Sequence, residues 1–332
     1  MSSSSFEKVI AILKKYNRFT IGCHLHPDGD AIGSLLAMGL SLEMSGKIVE
    51  MILPEGEPVT FEFLPGVEKT KRNSNLEPEV VISLDCAEKS RLQLPSEAFI
   101  SEPLLVNIDH HISNLGFGDV NLVLSDAAAT GQIVYELLNL GGFPIDTRIA
   151  MSVYTAISTD TGFFRYSNTT GKVLSLASEL VNRFNISPSE IAEWVYEEKS
   201  FNSVRLLGEV LSTLKISDDN NFSWMILDQQ MLKKYPIEID EMENYVNYAN
   251  SVQGVKVGLF FKEIKPGEVK ISWRSKATID VSRLAAHFGG GGHARAAGCS
   301  ISGLLSEVVK EVLSFVQQHF LQNYEEIKDA SK

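Results

Sequence analysis

The chain has 332 residues, 44% of them hydrophobic, which is enough for a sizeable core and suits two domains or one large one. A formal net charge of −12 excludes a global electrostatic pull on long nucleic acid, so an anionic ligand needs a local basic pocket or metal ions. The three cysteines (Cys23, Cys86, Cys299) are widely spaced in apolar contexts and do not form a disulfide framework; with no long apolar run and no leader-like start, the sequence reads as a soluble, intracellular, cytoplasmic protein with reduced, buried thiols.

Residues 6–15 carry apolar side chains at helical spacing. "FTIGCH" then reads as a strand, "DAIGSLLAMGLSLEMSG" as a helix stopping at Gly46, and "KIVEMIL" as a second strand. "PEVVISLDC" and "EPLLVNIDHH" are short, nearly continuous apolar runs, the pattern of strands covered on both faces of a parallel sheet. "AAATGQIVYELLNLGG" and "DTRIAMSVYTAISTDTG", the latter starting near Asp146, read as helices. Strands alternating with helices predict an open α/β domain with a parallel sheet, whose ligands gather at the carboxyl ends of the strands. A helical stretch through Trp194 and Arg205 then connects to a second half of different texture. "EVLSTLKISDDNNFSWMILD" reads as two strands about an Asp-Asp-Asn-Asn turn, "GVKVGLFFKEIKPGEVKISWRSK" as a hairpin turning at Pro266-Gly267, and helices follow near residues 281–288 and 304–322. The expected organisation is a catalytic α/β domain over 1–188, a connecting helix or linker over 189–209, and a smaller α+β domain over 210–325.

Four segments of the first half repeat one kind of chemistry: His24, Asp28 and Asp30 in "HLHPDGDAIGS", Asp85 in "LDC", Asp109-His110-His111, and Asp160 in "TDTG". Singly, each has an ordinary explanation. An Asp after a strand forms a turn or caps a helix, as Asp30 could cap the helix from Ala31, and a lone His is usually a core or surface residue. Together, carboxylates converging on one sheet edge would repel one another, and cations relieve that repulsion. Four Asp and two His can hold two divalent ions, with or without one shared carboxylate, the usual apparatus for displacement at phosphorus. Oxygen and imidazole donors without thiolate favour Mn²⁺, with Mg²⁺, Fe²⁺, Co²⁺ or Zn²⁺ as alternatives. Pro27 and Gly29 are expected to let the chain turn sharply between ligands. In extended "DHH", neighbouring side chains face opposite ways, so His110 and His111 should have different tasks.

"FGGGGHARAAG" (residues 288–298) is neither a Walker loop nor a dinucleotide fingerprint. As an alternative to a flexible linker, it reads as an anion site, in which Gly290, Gly291 and Gly292 permit close backbone approach and His293 and Arg295 supply charge. Arg274 and Lys276 in "SWRSK" add local charge or line a solvated hairpin edge. Trp273 can stack on a base, but a core position is the better default.

These motifs, in this order, resemble the DHH phosphoesterases, and "GGGGHARAAG" resembles the signature of the DHH-associated C-terminal domain; the match covers nearly the whole chain. "TDTGFFRYSNTT" and "SWRSK" look most like the bifunctional oligoribonuclease (nanoRNase)/3′-phosphoadenosine 5′-phosphate phosphatase branch. The resemblance implies one metal held by His24, Asp28 and Asp85, and another by Asp30, Asp85, His110 and Asp160, with Asp85 bridging. It places Asp109 behind the ligands and His111 at the scissile phosphate. His293 and Arg295, helped by Arg274, would grip a terminal phosphate, with the active site in the cleft between domains. The implied substrates are short oligoribonucleotides and 3′-phosphorylated adenosine nucleotides; neither a membrane nor a stable complex with long nucleic acid is expected, and the resemblance leaves room for a homodimer. A cyclic-di-AMP/pApA phosphodiesterase, a manganese pyrophosphatase, a RecJ-like exonuclease and a non-catalytic nucleotide-binding module are the rival readings.

Overall fold

The computed structural model describes residues 2–276 and 279–330; within these ranges the side chains of residues 2, 3, 240, 243, 293 and 320–330 lie outside the description. Two compact units divide between Glu198 and Lys199.

In the first unit, helix α1 (Ser2–Lys15) leads into β1 (Arg18–Gly22), α2 (Gly29–Met44), β2 (Ile48–Met51), β3 (Val80–Leu84), β4 (Leu104–Asp109), β5 (Val120–Val123), α3 (Thr130–Gly141), α4 (Thr147–Asp160), α5 (Gly171–Phe184) and α6 (Pro188–Ala192). The strands form one sheet in the order β2-β1-β3-β4-β5, parallel throughout. All five residues of β3 are buried, as a strand covered on both faces requires. The order reverses between β1 and β3, where open parallel sheets bind their ligands. His24 follows β1 and Asp85 follows β3, so two of the ligand candidates sit at that switch. β5 escaped the sequence reading because it is only four residues long and follows a loop rich in glycine.

Helices α2 and α4 pack closely enough that side chains are excluded between them. A Cβ on Gly33 would lie 2.4 Å from the Ser152 carbonyl oxygen, and one on Gly29 would lie 2.4 Å from Thr159 Oγ1. Gly29 therefore serves helix contact rather than a sharp turn, correcting the expectation from "PDGD". The turn before α2 falls instead on His26, whose φ is 53°.

The second unit contains α7 (Phe201–Ser212), β6 (Lys215–Ile216), β7 (Phe222–Leu227), α8 (Gln229–Lys234), α9 (Val246–Ser251), β8 (Val257–Lys265), β9 (Glu268–Ser275), α10 (Val281–His287), β10 (Gly291–His293), β11 (Ala296–Ser302) and α11 (Leu305–Ala330). Its mixed sheet runs β10-β11-β9-β8-β7-β6. The hairpin at Pro266-Gly267 joins β8 to β9 as expected, but β7 and β8 are parallel. "EVLSTL" is helix rather than strand: Leu206 and Val210 are buried one turn apart, and only Lys215–Ile216 pairs with β7. Thr213 Oγ1 stands in for backbone there, accepting from Ile226 N at 2.9 Å. The stretch through Trp194 and Arg205 is not one helix; it is broken over residues 198–200. Among the described residues no helix is long and apolar enough to cross a membrane. Cys23, Cys86 and Cys299 are buried free thiols.

Candidate metal centre

The first unit brings the acidic and imidazole motifs together. Three groups of donors arise, each with its ligand atoms within 4.8 Å of one another: His24, Asp28 and Asp85; Asp30, His110 and Asp160; and Asp85, His110 and His111. Asp85 sits just past β3 at φ 52°, a left-handed conformation that a non-glycine residue keeps only when its surroundings hold it there. Its two oxygens face different ways. Oδ2 lies 3.5 Å from His24 Nε2, and Oδ1 lies 3.6 Å from His110 Nε2. His110 Nε2 is also 3.6 Å from Asp30 Oδ2 and 3.7 Å from Asp160 Oδ2.

Both imidazoles are in the orientation a cation requires. His24 Nδ1 lies 2.8 Å from the Leu25 carbonyl and His110 Nδ1 lies 3.3 Å from the Ala127 carbonyl. A carbonyl only accepts, so each Nδ1 carries a proton, and each ring when neutral presents a bare Nε2 to the cluster. His111 is different. Its Nδ1 is 2.7 Å from Asp109 Oδ1, so Nδ1–H donates to that carboxylate. Asp109 is fully buried and also accepts from the His110 amide and from Asn114 Nδ2.

The carboxylates are held by helix starts. Asp28 caps α2, accepting from the Asp30 and Ala31 amides at 3.1 Å. Asp30, expected as the cap of that helix, lies within its first turn and reaches α3 instead. Its Oδ2 accepts from the Thr130 amide at 2.6 Å and its Oδ1 from the Gly131 amide at 2.9 Å. Asp160 ends α4, where the helix dipole disfavours negative charge and a cation would relieve it. Thr130 and Asn114, which belong to none of the acidic or imidazole motifs, also touch the cluster. Thr130 Oγ1 donates to Asp85 Oδ1 at 3.0 Å, and Asn114 ties Asp109 to Asn107 and the Cys86 carbonyl. The signal for Thr130 was the Thr-Gly pair opening a helix after three alanines; a loop asparagine such as Asn114 has no comparable signal.

Profile matches agree with this geometry. Residues 18–157 match the model described as the DHH family, N-terminal domain, and residues 230–322 match the DHHA1 domain. The bifunctional oligoribonuclease and PAP phosphatase NrnA of Thermus thermophilus is 34% identical over 303 residues, 90% of this chain and 89% of the relative. Its Bacillus subtilis counterpart is 29% identical, covering 89% of this chain and 92% of that one. This chain belongs to the DHH family of metal-dependent phosphoesterases. Among solved structures, an exopolyphosphatase-related protein from Bacteroides fragilis superposes with a TM-score of 0.87 at 28% identity, covering 96% of each chain. RecJ of Thermus thermophilus in complex with Mn²⁺ shares the fold, with a TM-score of 0.53 at 14% identity; this chain spans 55% of its length.

As a DHH protein the chain is a hydrolytic phosphoesterase, and its donor set fits the divalent cations on which the family depends. The cluster is electrostatically unstable by itself. Burial opposes ionisation of Asp85, but the imidazoles of His24, His111 and His110 outweigh it and hold the carboxyl far below the usual range. Burial and the Asp85 charge push Asp30 well up; burial, with Asp28 and Asp85 overcoming His110, pushes Asp160 up to about 7. His110 resists its burial because Asp160, Asp30 and Asp85 surround it, and it rises to about 9. Metal-free, the cluster thus balances its charge with extra protons on imidazoles and carboxyls, in the place where cations would sit. The neighbouring thiols add no soft ligand. Burial, then Asp85 and Asp28, push Cys23 up, and burial does the same to Cys86.

In the second unit, the sheet's own packing accounts for two of the three expected phosphate-binding glycines. A Cβ on Gly290 would lie 2.1 Å from the Gly298 carbonyl oxygen. Gly292 has φ 140° and no room beside Ala296 and Ala297, whereas a Cβ on Gly291 would meet open space. The His293 side chain lies outside the described residues. Arg295 Nη1 donates to the Ile279 carbonyl at 3.3 Å. Arg274 is on β9, an interior strand directly paired with Ala296, so "SWRSK" is not a solvated sheet edge. Arg274 Nε is buried with no hydrogen-bond partner among the described residues. Trp273 is core: it is fully buried, with its indole N–H 3.4 Å from Cys299 Sγ.

Proposed function

We propose that the first unit holds two divalent cations, Mn²⁺ by preference, and that the chain hydrolyses short oligoribonucleotides such as pApA to mononucleotides and 3′-phosphoadenosine 5′-phosphate to AMP. One cation would be held by His24, Asp28 and Asp85, the other by Asp30, Asp85, His110 and Asp160. The observation that carries this reading is the split of Asp85, one oxygen toward His24 and the other toward His110, which gives two donor groups a common carboxylate. The names of the 34% and 29% identical relatives support the substrate class.

When bound, such a pair supplies Lewis-acid stabilisation of phosphoryl oxygens and makes a water molecule acidic near neutral pH. The chain's own residues do the rest. Asp85, His24 and His110 fix the donors before substrate arrives, so little reorganisation is needed. Asp109, itself held by Asn114, keeps the proton of His111 on Nδ1 in the neutral ring and fixes the ring's direction. Protonated, His111 can donate from Nε2 to a phosphoryl oxygen or a leaving oxygen; the Asp109 and Asp85 charges raise its pKa against burial. Arg295, with Arg274, His293 and the glycines 290–292, would take the terminal phosphate.

The test is AMP release from pApA by the purified chain with Mn²⁺, against an EDTA control, beside parallel reactions on phosphoadenosine phosphate, cyclic-di-AMP, pyrophosphate and long single-stranded RNA and DNA. Mn²⁺-dependent cleavage of pApA with little turnover of long strands is expected. Turnover confined to pyrophosphate or long strands would overturn the substrate assignment.

A further inference from the structure

We propose that Thr130 is the positioning residue that fixes the rotation of the Asp85 carboxylate, so that one oxygen faces each donor group; this rests on the two-cation reading above. Asp85 lies just beyond β3 in a left-handed conformation, so its backbone is constrained but its carboxylate could still rotate about its last torsion. Two chemically equivalent oxygens must nonetheless face His24 and His110 separately. The Thr130 hydroxyl fixes the rotation that achieves this. It donates to Oδ1 at 3.0 Å, leaving Oδ2 toward His24.

Thr130 is a firm support. It is fully buried at the first position of α3, and its amide donates to Asp30 Oδ2 at 2.6 Å. Its β-branched side chain has few rotamers to choose from. One residue thus touches a carboxylate from α2 through its backbone and the shared carboxylate through its side chain. The hydroxyl occupies one lone pair of Oδ1 and leaves the other open to a cation.

The experiment compares wild type with Thr130→Val, a near-isostere lacking the donor, and Thr130→Ser, which keeps it. Mn²⁺ is titrated into metal-free protein by calorimetry, and low-temperature EPR reads exchange coupling between paired ions. Wild type and Thr130→Ser should each take up two coupled ions. Thr130→Val should bind one of the two about 10–100-fold more weakly and lose the coupled signal, the usual scale for removing a group that orients a ligand. Its metal-free circular dichroism should stay that of wild type, which a purely structural role would not leave intact. If Thr130→Val does not fold, Thr130→Ala is read the same way. Two coupled ions at wild-type affinity in a folded variant lacking the hydroxyl would overturn the proposal, as would Thr130→Ser failing as badly as Thr130→Val. A wild type that binds one ion or none would instead remove the two-cation reading on which the proposal stands.

Discussion

Asp85 and its neighbours face conflicting demands in the metal-free chain: buried carboxylates repel one another, and buried imidazoles lose hydration when protonated. The resulting pKa shifts set a pH dependence. His110, raised from 6.5 to about 9, contributes stability that is complete below about pH 6.5 and is lost as pH climbs toward 9. Asp160, raised from 3.8 to about 7, acts in the same direction, because its native carboxyl keeps a proton the unfolded one has released. The metal-free protein should therefore have a lower Tm at pH 9 than at pH 6.5, and Mn²⁺ should remove most of that difference; a flat profile by scanning calorimetry would contradict the cluster's electrostatics. His111 gives a second prediction at this scale. With Nδ1 engaged by Asp109, His111→Ala should reduce kcat by about 10²–10⁴-fold while both ions still bind. Loss of an ion by calorimetry would place His111 among the metal ligands, as its proximity to Asp85 and His110 allows. Metal-capable residues are legible in the sequence where they close an apolar run, as His24, Asp85 and His110 do. Asn114 is not, because an asparagine in a loop has ordinary structural uses, and Thr130 is marked only by the Thr-Gly pair that opens its helix.

Among elements, the contact between α2 and α4 sets the distance between the Asp28/Asp30 end of one helix and the Asp160 end of the other. Gly33→Ala puts a methyl group 2.4 Å from a backbone carbonyl oxygen, which cannot swing aside as a side chain would. It should cost about 1–3 kcal/mol of stability, and a chemical denaturation curve in Mn²⁺ would measure it. It should also weaken Mn²⁺ binding by moving Asp160 away from Asp30. Unchanged stability would mean the helices separate without strain. The parallel sheet is readable from its continuous apolar runs, and the β8–β9 hairpin from Pro266-Gly267. The "EVLSTL" helix is not, because a short apolar segment satisfies both periods and only the burial of Leu206 and Val210 on one face decides between them. Gly29 has the same ambiguity: in sequence it marks a turn, and in the fold it makes room for Thr159.

On the scale of the whole molecule, a net charge of −12 suits a short anionic substrate better than a long one. Arg295→Ala removes a guanidinium proposed to hold a terminal phosphate. It should raise KM for pApA about tenfold, the scale of one hydrogen bond to a charged group, with kcat little changed. A fall in kcat at constant KM would argue against that role. The most direct test of the account is AMP release from pApA while Mn²⁺ is titrated into metal-free wild-type protein. The account predicts little turnover at one equivalent per chain and a rise to full rate as the second is taken up. Full rate at one equivalent, or turnover that persists in EDTA, would contradict a centre built around the shared carboxylate of Asp85.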